Sequence, residues 1–377
     1  PQTPNPKPLI INIFGDRIIM KVEQCGVNGD NLVYGCIVLG KVLGRGAYGE
    51  VVQGIHSSTK QEYAVKLLRP SSSSRAHKDS LRLEAETMSF LQGKGLFPRV
   101  YPPMDFGREA NPNILVMEKV GSSVSALAPL SPPLLAYFLA QALMRLKELH
   151  STGLVHRDIK PDNFCLSLDN KHIYLIDFGL ATEYLDEDDD HVEKQSGRGF
   201  VGTPRFAPKE SHEGCNHSRR SDLESLAYTV AYLGNGSLPW QGLPSDSPSP
   251  KHHSIYIEKS KITAEKLFSN LPVEFEQYYK VVQALAFDQD PPYEILITVF
   301  LKLWNNTPLQ WTQPTLKIQS LNSAESCDLK EFSDEDDHPV NRFKMQMSPL
   351  LVRLGCDRPT IPPILQAGSP SLKPSPY

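Results

Sequence analysis

Short apolar runs separated by glycine and small polar turns fill the first third of the chain. YGCIVLGKVL, EVVQGIH and EYAVKLL, from Tyr34 onward, read as strands parted by glycine or by a Ser-Ser-Thr-Lys turn, and together they predict an antiparallel meander. A helical pattern follows over 78–92, then the strand-like NILVMEKV. A long amphipathic helix is expected over 132–151, opened by Ser131 with prolines in its first turn. The second half reads as mainly helical, so the pattern predicts an α+β chain: a sheet with one helix, then a helical region.

The two ends differ from this middle. Residues 1–30 open with PQTPNPKP, which cannot propagate a helix, and continue with INIFGDRIIM, a candidate strand in an N-terminal extension. From 305 the chain turns to NNTPLQWTQPT, an acidic EFSDEDDHP patch and SPSLKPSPY, which bury too little apolar area to fold alone; 305–377 is expected to be a mostly disordered tail. The folded domain is expected over 31–304.

Composition narrows the partners. At 377 residues, 22% charged and 40% hydrophobic, the chain can bury a large core, and a formal net charge of -4 gives no sign of a nucleic-acid partner. Six scattered cysteines show neither zinc-ligand spacing nor a disulfide framework, which points to a reducing intracellular setting, cytoplasmic or nuclear. The apolar stretch 295–304 contains Lys302 and is too short to span a bilayer, and neither a leader nor a membrane association is expected.

Between two strand-like runs, Gly44, Arg45, Gly46, Ala47, Gly49 and Val51 lie in a G-x-G-x-x-G-x-V segment, a hairpin whose backbone can close over nucleotide phosphates. Alone, a glycine triplet is more often an ordinary turn or a dinucleotide loop; the strand that follows counts against the latter. Downstream, Ala64-Val65-Lys66 places a lysine in an apolar strand. It is either a snorkelling edge residue or a cation aimed at the α- and β-phosphates, and its spacing from the glycine loop favours the second. Its orienting carboxylate would come from Glu84 or Glu86. Glu84 is preferred because it places Met88 one turn on, where an apolar neighbour is expected.

The decisive segment is His156-Arg157-Asp158-Ile159-Lys160-Pro161-Asp162-Asn163, followed by Asp177-Phe178-Gly179. A single such aspartate is usually a cap or a turn residue, but that reading fails for the ensemble. Asp158 would accept the proton of an attacking hydroxyl and Lys160 would neutralise charge on a transferred phosphoryl group. Asn163 and Asp177 would hold magnesium.

These motifs resemble the eukaryotic protein kinase superfamily over 33–302, and Lys160, two places after Asp158, resembles the serine/threonine branch. A sharper match is GTPRFAPKESHEGCNHSRRSDLESLAYTVAYLGNGSLPWQGL, 202–243, which is similar to the casein kinase 1 group, as is the later FDQDPPYEIL. The resemblance implies a two-lobed protein kinase fold, with an N-lobe over about 31–118 and a C-lobe over about 121–304, ATP and Mg2+ as cofactors, protein substrates and a monomer. It also assigns residues. Asp222 would brace the catalytic loop. Met117 would be the gatekeeper, with Glu118 and Val120 presenting hinge backbone to adenine, and Cys165 and Ile176 would sandwich the base. Arg205 and Lys261 match best the group's substrate-anion ligands.

The departures bear on substrate and regulation. Asp186-Glu187-Asp188-Asp189-Asp190 would repel an acidic peptide if it faced the cleft, and is otherwise a solvated charge run. The usual Ala-Pro-Glu is here Ala207-Pro208-Lys209, which removes the expected glutamate ion pair. Arg157 could receive a phosphate from a modified loop residue such as Ser196, but the group resembled implies activity without that modification. The competing reading is a pseudokinase scaffold that binds partners and catalyses nothing; retention of Lys66, Asp158, Asn163 and Asp177 weighs against it. A small-molecule or lipid kinase would lack the segment 202–243.

Overall fold

Apolar residues at every second position build the sheet. The computed structural model describes residues 26–28, 31–46, 49–68, 75–93, 97–107, 113–243, 251–305 and 307–308. The proline-rich opening with its candidate strand, Ala47 of the glycine loop and the tail from 309 lie outside them. The described chain divides into two units. One runs up to Gly121 and takes in Ile176–Ala181; the other consists of Ser122–Leu175 and continues from Thr182.

In the first unit seven strands pair antiparallel: β1 (Gly26–Asn28), β2 (Asn31–Tyr34), β3 (Ile37–Arg45), β4 (Gly49–His56), β5 (Glu62–Leu68), β6 (Val100–Tyr101) and β7 (Ile114–Glu118), in the order β1-β2-β3-β4-β5-β7-β6. Ile37 and Leu39 on β3, Tyr63, Val65 and Leu67 on β5, and Ile114 and Val116 on β7 pack into one core. Their two-residue spacing is what a half-buried strand requires. The sheet begins before Tyr34, where the apolar pattern first becomes continuous. β1 and β2 are short, flank the Asn28-Gly29 turn signal and carry too few apolar residues to stand out. Among the described residues of this unit the one α-helix, α1 (Arg75–Phe90), starts three residues ahead of the predicted span and ends two before its end.

The second unit is built on α2 (Pro132–His150), which is buried on nearly every face: Leu135, Ala136, Phe138, Leu139, Ala140, Leu143, Leu146 and Leu149 have no exposed surface. Pro132 and Pro133 occupy its first turn, where a missing N–H costs nothing. The polar side chains in this interior have specific partners. Arg145, fully buried, donates to the carbonyls of Ile173 (2.5 Å) and Gln141 (3.2 Å), which offsets the cost of burying its charge.

Two small two-stranded ladders complete this half of the chain: β8 (Leu154–Val155) with β11 (Thr182–Glu183), and β9 (Phe164–Leu166) with β10 (Ile173–Leu175). The remaining helices are α3 (Lys209–His212), α4 (Arg219–Asn235), α5 (Lys251–Lys261), α6 (Ala264–Leu267), α7 (Val273–Ala284) and α8 (Tyr293–Trp304). At the start of α4 the Ser218 N–H donates to Ser221 Oγ at 3.0 Å, and Gly236 ends the helix in the left-handed conformation, at φ 78°. No helix of the described residues is long and apolar enough to cross a membrane.

Candidate active site

In the first unit, β3 and β4 meet in the glycine-rich hairpin, closed by Gly46 N–H donating to the Gly49 carbonyl at 3.0 Å. Gly49 is required there: a Cβ would collide with the Leu67 carbonyl oxygen of the neighbouring strand. Arg45 and Glu50 pair across the hairpin at 3.3 Å. Gly44 lies opposite Val51 in the ladder, and a Cβ on Gly44 would meet nothing within 4 Å.

Lys66, opposite Val51 in the register of β4 and β5, holds its ammonium 2.6 Å from Glu84 Oε2 and 2.8 Å from Asp177 Oδ1. Glu86 points elsewhere, exposed and 3.8 Å from Arg82. Burial by itself would lower the Lys66 pKa, but the two carboxylates outweigh it and hold the ammonium above its ordinary range. Glu84 moves in its own direction, since removal from water pushes its carboxyl up to about 7 against the pull of Lys66. Both carboxyl groups lie within hydrogen-bond distance of the ammonium, which keeps Lys66 charged. Asp177 is held in the left-handed region at φ 68°, a conformation that costs about 1–3 kcal/mol and persists where surrounding contacts enforce it. Two such contacts flank it: Ser80 Oγ donates to the Gly179 carbonyl at 2.8 Å, and Phe178 meets Phe97 edge-on.

On the same unit Met117 is buried on β7 opposite Ala64. Glu118 donates its N–H to the Arg99 carbonyl (2.7 Å) while its own carboxylate accepts from Arg99 N–H at 3.1 Å. Val120 follows, partly buried, and Ile176 is partly buried where the chain returns to this unit.

In the second unit both oxygens of Asp158 are engaged. Thr203 Oγ1 donates to Oδ1 at 2.8 Å and Lys160 Nζ to Oδ2 at 2.5 Å, with Lys160 also 3.2 Å from Thr203 Oγ1. Asn163 directs its amide nitrogen to the Asp158 carbonyl (2.9 Å), which leaves its amide oxygen as the accepting end. Cys165 is buried on β9, and burial pushes its thiol up to about 12, so it stays protonated.

The loop carrying Asp158 is braced from α4. The fully buried Asp222 accepts from His156 N–H (2.7 Å), Arg157 N–H (2.9 Å) and His150 Nε2 (2.9 Å). Burial would raise the Asp222 pKa, but the His150 bond and the positive and N–H groups around it hold it below the ordinary range. Arg157 itself is left-handed at φ 67°. Gly202, at φ 95°, passes so close that a Cβ would sit 2.6 Å from the Arg157 carbonyl.

Three residues that sequence reasoning passed over belong to this neighbourhood. Thr203 could have been found from its place in the Gly202-Thr203-Pro204 run. Glu210 ion-pairs with Arg220 and accepts from Ser221 Oγ at 2.6 Å, so the glutamate missing at Lys209 is supplied one residue later. The third is Lys259. Lys261 is exposed and 3.8 Å from Glu258 on its own helix, Arg205 lies over the Phe206 and Tyr232 rings, and the α5 lysine that reaches the Arg205 loop is Lys259. The acidic run Asp186–Asp190 folds into a closed, exposed turn in which Asp186 Oδ1 accepts from Asp188 and Asp190 N–H at 3.0 Å each.

The profile of the protein kinase domain matches residues 37–293, well over half of the 377 residues, and its span includes Lys66, Asp158 and Asp177. The chain belongs to the protein kinase domain family and has its two-lobed α+β fold.

Proposed function

We propose that this kinase transfers the γ-phosphoryl group of ATP to serine and threonine hydroxyls of proteins, as a divergent member of the casein kinase 1 group. The observation that carries the reading is the cluster of Lys66 with Glu84 and Asp177, two carboxyl groups at 2.6 and 2.8 Å from one ammonium. A scaffold that had abandoned catalysis would have no need to hold Asp177 in a strained backbone conformation beside it.

Asp158 would accept the hydroxyl proton, and Lys160, 2.5 Å away, would balance the charge that the phosphoryl group carries in transit. Thr203 positions the carboxylate and Lys66 would meet the α- and β-phosphates. Asn163 and Asp177 offer an amide and a carboxylate oxygen, the hard donors magnesium accepts, and the Asp177 side chain is 42% exposed. Bound there, the ion would neutralise phosphate oxygens. Glu118 and Val120 would present backbone to adenine beside Met117, with Cys165 and Ile176 against the base.

The casein kinase 1 reading draws support from the way its two signature segments bind each other. Arg219 of SRRSDLESL pairs with Asp290 and donates to the Asp288 carbonyl (2.7 Å), and Arg220 donates to the Leu285 carbonyl (2.8 Å). Trp240 of SLPWQGL donates to the Arg205 carbonyl at 2.8 Å. Magnesium-dependent transfer from labelled ATP to matched serine, threonine and tyrosine peptides tests the assignment. Transfer to serine or threonine but not tyrosine is expected; ATP binding with no transfer to any of them would establish the scaffold instead.

A further inference from the structure

Building on the proposed kinase activity, we infer that Lys259 is a positioning residue for the peptide substrate, holding the loop Thr203–Ala207 by its charge and releasing it as that charge is lost. The loop is a tight turn, with Phe206 and Ala207 N–H both donating to the Thr203 carbonyl, at 2.9 and 2.8 Å. One end touches the chemistry through Thr203 on Asp158. The other end is gathered from below: Lys259 Nζ donates to the carbonyls of Pro204 (2.8 Å) and Ala207 (2.6 Å), and Trp240 Nε1 donates to the carbonyl between them, that of Arg205.

Lys259 is 1% exposed, and no carboxylate of the described residues lies within ion-pair distance of it. Its third contact is His212 Nε2 at 3.2 Å, and its ammonium lies over the rings of Tyr228 (4.8 Å) and Trp240 (5.3 Å). An ammonium has three hydrogens and meets three acceptors; a neutral amine has two and loses the charge that strengthens them.

The surroundings favour that loss near neutrality. Burial draws the Lys259 pKa down to about 7, with Glu224 of α4 opposing. His212 beside it, driven down to about 3 by burial and by Lys259, stays neutral and serves as acceptor. Lys209 of α3 sits 3.9 Å from Glu224, Tyr228 donates to Glu224, and Tyr279 of α7 lies 3.5 Å from the Tyr228 hydroxyl. On α5 itself Glu258 pairs with Lys261, and the His252 ring packs on Phe200. The site therefore holds a single partial counter-charge, Glu224, which its other neighbours share.

The test uses the full chain and a capped peptide of arginine, alanine and one serine, which has no group titrating between pH 6 and 9. Peptide KM and ATP KM are measured from pH 6.5 to 8.5, with peptide Kd from fluorescence anisotropy alongside, so the inference is judged even if the chain transfers no phosphate. In the wild type, peptide KM and Kd should rise about tenfold over this range while ATP KM stays within about twofold. Lys259→Met should show the weak value at every pH. Trp240→Phe should bind peptide more weakly yet keep the pH dependence, and so should the wild-type profile in a His252→Asn, His253→Asn background. A flat wild-type profile for the peptide, or a folded Lys259→Met that keeps the wild-type rise, overturns the inference; if Lys259→Met does not fold, the wild-type and Trp240→Phe profiles decide.

Discussion

Replacing Asp222 by asparagine changes one atom in the buried brace behind the catalytic loop, and its cost can be worked from the contacts. The carboxylate receives three donors: Arg157 N–H on Oδ1, and His156 N–H and His150 Nε2 on Oδ2. Asparagine keeps the shape but has one accepting oxygen. Its better orientation saves the two bonds at Oδ2 and turns an NH2 toward the Arg157 N–H. That loses one charge-assisted bond, worth about 1.5–3 kcal/mol, and strands a buried donor at about 1–3 kcal/mol more. Relief from burying the charge returns part of this, for a net loss of about 3 kcal/mol. For a domain of this size that is a fall in Tm of about 6–12 °C. Because Arg157 precedes Asp158 directly, kcat should drop with it while ATP KM changes little. A scanning-calorimetry Tm within about 1 °C of wild type, with unchanged kcat, would refute the claim that Asp222 holds this loop.

Four further outcomes are expected. Lys66→Met and Asp158→Asn should each leave a folded chain, by circular dichroism, with phosphotransfer lowered at least about 100-fold, because they remove charge stabilisation and not packing. Glu210→Ala should cost about 1–3 kcal/mol in denaturant titrations by removing an acceptor of Arg220 and of Ser221 Oγ, and Arg220→Met in the same chain should restore part of it. His217 is buried with its pKa drawn down to about 4 by desolvation. The unfolded chain therefore binds more protons there, and about 3 kcal/mol of stability should vanish as pH falls from about 6.5 to 4; His217→Gln should blunt that loss in urea melts. Neutralising Glu187, Asp188 and Asp190, while keeping Asp186 to close the turn, should shift preference from basic toward phosphorylated peptides at low salt; unchanged peptide selectivity would mean the turn only meets solvent.

What the amino-acid order revealed, and what it hid, follows from where each partner lies. Lys66, Asp158, Asn163 and Asp177 stood out in the sequence because the chemistry proposed for them demands particular side chains at set spacings, and the structure sets Lys66 beside Asp177 and Asn163 beside the Asp158 carbonyl. The choice of Glu84 over Glu86 followed from helix geometry, as residues two apart face apart. At α5, Lys259 and Lys261 are about 200° apart around the helix, so the exposed Lys261 that resemblance picked and the buried Lys259 face different surroundings. Lys259 works on backbone carbonyls and Glu210 on an arginine ten residues away. Neither partner type leaves a spacing to read. β1 and β2 escaped because a two-strand ribbon of three and four residues has too few apolar positions to show a period.

The return of Ile176–Ala181 to the first unit has a consequence for how the protein is made. That unit is discontinuous in sequence, so a ribosome supplies its strands well before Asp177, the second carboxylate partner of Lys66. Gly179 and Phe178 arrive with Asp177, bringing the Ser80 bond and the Phe97 ring contact at the same moment. A gene fragment stopping at Gly121 would consequently encode the strands but not the finished lobe. Fusing 176–181 to that fragment through a flexible linker is the smallest change that could restore it.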